Sequence, residues 1–217
     1  VNERANQLAS EIRSLYFSSH GKAIEPDSKI AIFKEKSVQF LIDAIAILKA
    51  GAAYVPMAVG YPSERIQYIL QDTHASMVLT DSESLVALSE ACQNLEVSPY
   101  LLATDNTDLG YSRSKANLKP VAGARDLGAI IYTSGTTGNP KGVMVEQHSI
   151  TSLVAQPSIV EIEATDVFIF LSSPVFDVSS FEIWGALLNG ATLVVPGNTR
   201  EMASDVAGFK AMLQQYN

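Results

Sequence analysis

The sequence is short of cysteine, histidine, tryptophan and positive charge. Cys92 is the one cysteine among 217 residues. No internal disulfide can form, and a disulfide-stapled secreted scaffold is excluded. A lone thiol fits a reducing compartment, so a cytoplasmic location is expected. The three histidines, His20, His74 and His148, have none of the close spacing that metal-binding pairs show, and no metal site is expected from them. Lys plus Arg number 15 against 23 Asp plus Glu, a net charge of −8. A chain this acidic is a poor general binder of phosphate backbones, so no nucleic-acid partner is expected. Net charge says nothing against a small local phosphate site. No apolar run reaches the length of a membrane span. The most apolar stretch, Phe40–Ala50, is interrupted by Asp43 and Lys49, and no membrane partner is expected. The start, Val1-Asn2-Glu3-Arg4-Ala5, lacks the basic-then-apolar layout of a signal peptide. It also lacks an initiator Met and is already helical in pattern, so the chain is expected to be a piece of something longer.

What the sequence does have is a core. Apolar residues make up 47 % and charged residues 18 %, a globular composition that excludes wholesale disorder. Short β-like runs alternate with helical patterns. Ala5, Leu8, Ala9, Ile12, Leu15 and Tyr16 share one face of a helix over Val1–Tyr16. Strands are expected at Lys29–Phe33, Ala52–Pro56, where proline should end the strand, Ser76–Thr80, Leu127–Thr133, Gly142–Glu146, Val167–Leu171 and Ala191–Val195. Helices are expected at Ser37–Lys49, ended by Gly51, and at Ser63–Asp72, Glu83–Gln93, Ser149–Ala155, Ser179–Leu188 and Ala203–Tyr216. Between about Asn94 and Arg125 the periodicity fades, and a surface excursion is expected there. Strand–helix alternation with nearly continuous apolar strands predicts an α/β fold of parallel-rich sheets covered by helices.

The segment that carries chemistry is Tyr132-Thr133-Ser134-Gly135-Thr136-Thr137-Gly138-Asn139-Pro140-Lys141-Gly142. It follows an apolar strand and combines hydroxyls, glycines and one lysine. Glycines let backbone N–H groups turn toward an anion, hydroxyls add donors, and lysine adds a point charge. These are the parts of a triphosphate cradle. It is not a Walker A loop, because only two residues separate Gly135 from Gly138 and Gly142 follows Lys141. The plain alternative is a Ser/Thr/Gly-rich hairpin between two strands.

Ile131–Val145 (IYTSGTTGNPKGVMV) closely resembles the phosphate-loop signature of the adenylate-forming, AMP-binding superfamily. That superfamily includes the adenylation domains of nonribosomal peptide synthetases, the acyl-CoA synthetases and the luciferases. Leu48–Pro56, Tyr61–Arg65, Asn2–Ala9, Phe176–Phe181 and Leu188–Ala191 are similar to segments of the peptide synthetase branch, in order along the whole chain. Ala58 and Val59 stand where that branch usually has Asp-Pro at a turn. Gln147 and His148 stand where His and a basic residue usually follow Glu146.

The resemblance implies the first part of the large N-terminal region of an adenylation domain, over residues 1–217, with the C-terminal part lying outside the chain. It implies activation of an amino acid by ATP, then passage of the acyl group to the phosphopantetheine thiol of a carrier protein. Carrier and condensation domains of the same synthetase are the implied partners, in secondary metabolite biosynthesis. Thr133, Ser134, Gly135, Thr136, Thr137, Gly138 and Lys141 are the implied ATP-phosphate ligands, with Lys141 and Thr133 in the catalytic role. Mg2+ is expected as a bridge between phosphates, with its carboxylate ligand outside this chain. Asp177 is implied as partner of the substrate α-ammonium, and Phe176, Val178 and Phe181 as lining of the side-chain pocket. From the residues alone, Asp177 reads as a helix N-cap and the others as core. An acyl- or aryl-CoA ligase and a non-catalytic nucleotide-binding fragment are the other readings. By itself the chain is expected to be inactive.

Overall fold

The computed structural model describes residues 1–105, 113–133, 140–155, 160–197 and 206–215. Helix α1 (Asn2–His20) leads into strand β1 (Lys29–Phe33), helix α2 (Val38–Ala50) and strand β2 (Ala53–Met57). Then come α3 (Ser63–Thr73), β3 (Met77–Thr80), α4 (Leu85–Cys92) and β4 (Tyr100–Ala103). β5 (Leu127–Thr133), β6 (Lys141–Glu146) and α5 (Gln147–Ala155) follow. The chain continues through β7 (Val167–Ile169), α6 (Val178–Asn189), β8 (Thr192–Val194) and α7 (Val206–Gln215).

Six strands form one sheet in the order β4-β3-β1-β2-β5-β6. All neighbours are parallel except β5 and β6, which are antiparallel. β7 and β8 make a separate two-stranded parallel sheet. Alternate residues of β1 serve opposite faces, as a strand requires. Ile30 and Ile32 pack under α1 and α2, whereas Ala31 and Phe33 pack under α3 and α4. The expected α/β architecture is therefore present, with the parallel sheet covered on both faces.

Local signals explain most boundaries. The Ser37 side chain accepts from the Phe40 N–H at 3.1 Å and starts α2. Arg13 of α1 donates to the carbonyls of Lys49 and Ala50 at the end of α2 and to that of Lys119. Gly51 ends α2 at φ +101°, and a Cβ there would lie 2.6 Å from Val121 Cβ. We expect Gly51→Ala to destabilise the fold by more than about 1 kcal/mol, because both the backbone region and the space exclude a side chain. A drop in melting temperature of the complete protein checks this; an unchanged value would show that the Val121 segment simply moves aside.

Two expectations need correction. Ala53–Met57 runs through Pro56 rather than ending at it. The Ala53 N–H points to β1, bonding Ser28 O at 2.8 Å, so the alternate residue Pro56 turns its missing N–H toward β5. There the ladder is confined to Tyr54 and Ala129, and no bond is lost. Second, the stretch from Asn94 to Arg125 is not all surface excursion. Tyr100–Ala103 is the edge strand, paired with Met77–Thr80. Arg113 and Lys115 then tie the chain to α1 through Glu11 at 2.7 Å and Glu3 at 2.8 Å. The turn after β2 forms without Asp-Pro, since the Tyr61 N–H bonds Ala58 O at 3.0 Å.

Candidate functional site

A cleft of about 600 Å³ opens at the carboxyl ends of β2 and β5. One wall is the end of β5: Ile131, Tyr132 and Thr133. Ala58, Tyr61 and Arg65 contribute from the turn after β2 and the start of α3. The opposite wall is the segment entering α6: Ser173, Val175, Phe176 and Asp177. A hollow of about 650 Å³ lies at the other end of the sheet, near Ser76 and Pro99, and contains none of the candidate residues.

The β5–β6 hairpin positions the first group of candidates. Its antiparallel register sets Thr133 directly opposite Lys141, and both are exposed. Cross-strand partners in such a ladder stand about 4.5–5.5 Å apart at Cα, so hydroxyl and ammonium flank the hairpin mouth together. The hairpin alternative and the phosphate-cradle reading thus describe the same element. Ser134, Gly135, Thr136, Thr137 and Gly138 lie outside the described residues. Gly142 allows the two strands to close: a Cβ there would stand 2.9 Å from Ile130 Cγ2. The Tyr132 hydroxyl donates to Asp72 of α3, with the Tyr68 ring edge-on at 6.4 Å. Burial first, then the Asp72 carboxylate, pushes the Tyr132 hydroxyl far above its ordinary range, so it stays a neutral donor. This bond fastens the last turns of α3 to the strand that ends at the hairpin mouth.

The second group depends on how Ser172–Asp177 is held. Lys36 donates to Leu171 O at 2.8 Å. Glu182 of α6 accepts from the Ser172 N–H at 3.0 Å and from its hydroxyl. The Ser179 hydroxyl donates to Phe176 O at 2.6 Å. α6 itself is joined to the main sheet where Trp184 Nε1 donates to the buried Tyr54 hydroxyl at 3.2 Å. Asp177 is therefore presented on a braced wall. Its Oδ1 accepts from the Val178 N–H at 2.9 Å. An N-cap side chain normally reaches one or two residues further, from an extended backbone. Here Asp177 is itself helical, at φ −59° and ψ −34°, so capping accounts for only part of what the carboxylate offers. Asp177 is exposed and has no cationic partner among the described residues.

The cleft brings together Thr133, Phe176 and Asp177, and Lys141 stands beside Thr133. Val178 and Phe181 do not line it. Val178 is exposed, and Phe181 packs on Phe168 with ring centroids 5.8 Å apart. Cys92 is buried, and burial raises its thiol pKa, as an inert core thiol requires.

A buried charge network went unrecognised in the sequence. The Lys34 ammonium, fully buried after β1, lies 2.9 Å from Asp43 of α2 and 2.9 Å from Asp81 after β3. Thr104, after β4, donates to Asp43, and Gln39 donates to it at 2.8 Å. Burial pushes the Asp43 carboxyl up, while the Lys34 ammonium and these hydrogen bonds hold it back. β1 and β3 send their crossovers to opposite sides, so this is the topological switch point, where open α/β sheets commonly hold ligands. Here the protein's own side chains fill it, and the cleft opens two strands away. The one available signal was Asp43, a carboxylate inside an otherwise apolar helix.

Fold and cleft together define a doubly wound α/β protein with a cleft at the carboxyl ends of its strands. The model of the AMP-binding enzyme family matches residues 1–217, and the chain belongs to that family. Its curated relatives include tyrocidine synthase 1 of Brevibacillus parabrevis, 36 % identical over 99 % of this chain and 19 % of that protein. N-(5-amino-5-carboxypentanoyl)-L-cysteinyl-D-valine synthase of Penicillium chrysogenum is 40 % identical over 90 % of this chain and 5 % of that protein. Among solved structures, the AMPPNP-bound form of the nonribosomal peptide synthetase FmoA3 aligns with a TM-score of 0.77 at 29 % identity. That alignment covers 92 % of this chain and 20 % of the other. The N-terminal subdomain of Klebsiella oxytoca NpsA aligns with a TM-score of 0.73 at 26 % identity, over 93 % of this chain and 47 % of that one. The chain thus spans less than a fifth of these curated relatives and less than half of these structures. Among the described residues no helix is long and apolar enough to cross a membrane.

Proposed function

We propose that residues 1–217 form the first part of an adenylation domain that activates an amino acid as its aminoacyl adenylate in nonribosomal peptide synthesis. A substrate carboxylate oxygen attacks the α-phosphorus of ATP. The bond from that phosphorus to the bridging oxygen of the β-phosphate breaks, and pyrophosphate leaves. The sulfur of a carrier-protein phosphopantetheine thiol then attacks the acyl carbon and releases AMP. The attack joins two anions, so donors and cations must spread the phosphate charge. Lys141 and Thr133, with Ser134–Gly138 between them, serve the outer phosphates. Asp177 orients the substrate through its α-ammonium, and Phe176 borders the same space. Among the described residues no group of three His, Cys, Asp or Glu could hold a metal. Mg2+ would ride on the phosphates, offsetting their charge, with its carboxylate supplied from outside the chain.

The observation that carries this reading is the single cleft shared by Thr133 and Asp177, with Lys141 opposite Thr133 across the hairpin. Its test is Lys141→Ala in the complete protein, assayed by ATP–pyrophosphate exchange against a panel of amino acids. The ATP KM should rise about tenfold or more, the worth of a charge-assisted hydrogen bond. The melting temperature should hold, because Lys141 is exposed at a strand end. Unaltered exchange would remove Lys141 from the phosphates.

A further inference from the structure

We propose that Arg65 binds the phosphate tail in this cleft, holding the outer phosphates of ATP and then the departing pyrophosphate. This rests on the adenylation reading above. Arg65 lines the cleft together with Thr133 and Asp177. Among the described residues its buried Nε has no hydrogen-bond partner, and its one side-chain hydrogen bond runs from Nη2 to the Tyr61 hydroxyl at 3.3 Å. Among the described residues no carboxylate pairs with it. A buried guanidinium donor left unpaired is costly unless a ligand completes it. The guanidinium carbon also lies over the Tyr61 ring, 4.1 Å from its centroid. The ring supports the cation and restricts its rotamers, so the planar fork is held ready for a bidentate anion.

Position selects phosphate over the substrate carboxylate. Arg65 and Asp72 are seven residues apart on α3, two helical turns, and so share one face. Asp72 on that face accepts from the Tyr132 hydroxyl, and Tyr132 precedes Thr133. Arg65 therefore belongs to the hairpin side of the cleft, while Asp177 stands on the opposite wall. The cleft keeps a cation and an anion apart instead of pairing them. That arrangement suits a ligand pair with phosphates at one end and an ammonium at the other.

The test uses Arg65→Gln and Arg65→Lys in the complete protein, with equilibrium binding of ATP, pyrophosphate and AMP and the KM for the amino acid. In Arg65→Gln, affinity for ATP and pyrophosphate should fall about tenfold or more. AMP affinity and amino-acid KM should stay within about twofold. Arg65→Lys, which keeps the charge but loses the fork, should fall between; it also serves if the glutamine variant folds poorly. Equal weakening of AMP and ATP would overturn the proposal, as would an effect on the amino-acid KM alone. Undiminished ATP binding in both variants, with the ATP KM still raised in Lys141→Ala, would remove Arg65 from the phosphates and leave the adenylation reading intact. Absence of amino-acid-dependent exchange in the unsubstituted protein would overturn that reading and this one with it.

Discussion

Lys34→Met is expected to lower stability by about 3–5 kcal/mol, among the largest effects of any single substitution in this chain. The reason is what it leaves behind. Asp43 is fully buried and is neutralised by one ammonium 2.9 Å away. Without that charge, the carboxylate must be protonated or remain uncompensated in a low-dielectric core. Asp81 is about a third exposed and can turn to water; Asp43 cannot. Removing both charges together should hurt much less. In Lys34→Met/Asp43→Asn the asparagine oxygen still accepts from Gln39 and Thr104, and no bare charge remains in the core, Asp81 alone being left to turn to water. The double variant should recover at least half of the loss, since replacing a buried pair is commonly near neutral. Melting temperatures of the four proteins form the cycle that reads the coupling. A single variant as stable as the unsubstituted protein would show that water reaches Asp43.

Asp177→Asn is expected to raise the amino-acid KM by about thirtyfold, equivalent to about 2 kcal/mol for a lost charge-assisted bond. The ATP KM should stay within about twofold. Asparagine can still accept from the Val178 N–H and is as good a cap as aspartate. Helix α6 should therefore hold, and the substitution separates the two roles the residue was assigned. A cap alone predicts no kinetic change; an ammonium partner predicts a change confined to one substrate. Equal effects on both substrates would mean that the wall from Ser172 to Asp177 had shifted as a unit.

Much of this was legible because it is written locally. Lys29–Phe33 reads as a strand from its own five residues and is one. The apolar face of α1, from Ala5 to Tyr16, is visible in its period and is the buried face. Ser37 and Gly51 bracket α2 with a cap at one end and a left-handed residue at the other. β4 was hidden for the opposite reason. Tyr100–Ala103 has four residues, mostly half-exposed, directly after Pro99, and nothing in it alternates. It is a strand because Met77–Thr80 offers a free edge beside it.

The candidate site divides in the same way. From residue type alone Thr133–Lys141 reads as an anion cradle or a Ser/Thr/Gly-rich hairpin and Asp177 as a helix N-cap; the phosphate and ammonium roles are what the family resemblance implies. That these segments face one cleft came only with the fold, through the Trp184–Tyr54 bond across 130 positions of sequence and the Tyr132–Asp72 bond across 60. Arg65 showed no catalytic signal in the sequence, where it reads as a residue able to cap or pair locally; its place over the Tyr61 ring exists only once Tyr61 and the end of β5 are together. Helix period, caps and turns depend on neighbours within about four residues, and a sequence states those neighbours outright. Charge pairing, edge pairing and the shape of a cleft depend on which distant segments meet, and burial of the core settles that across the whole chain at once.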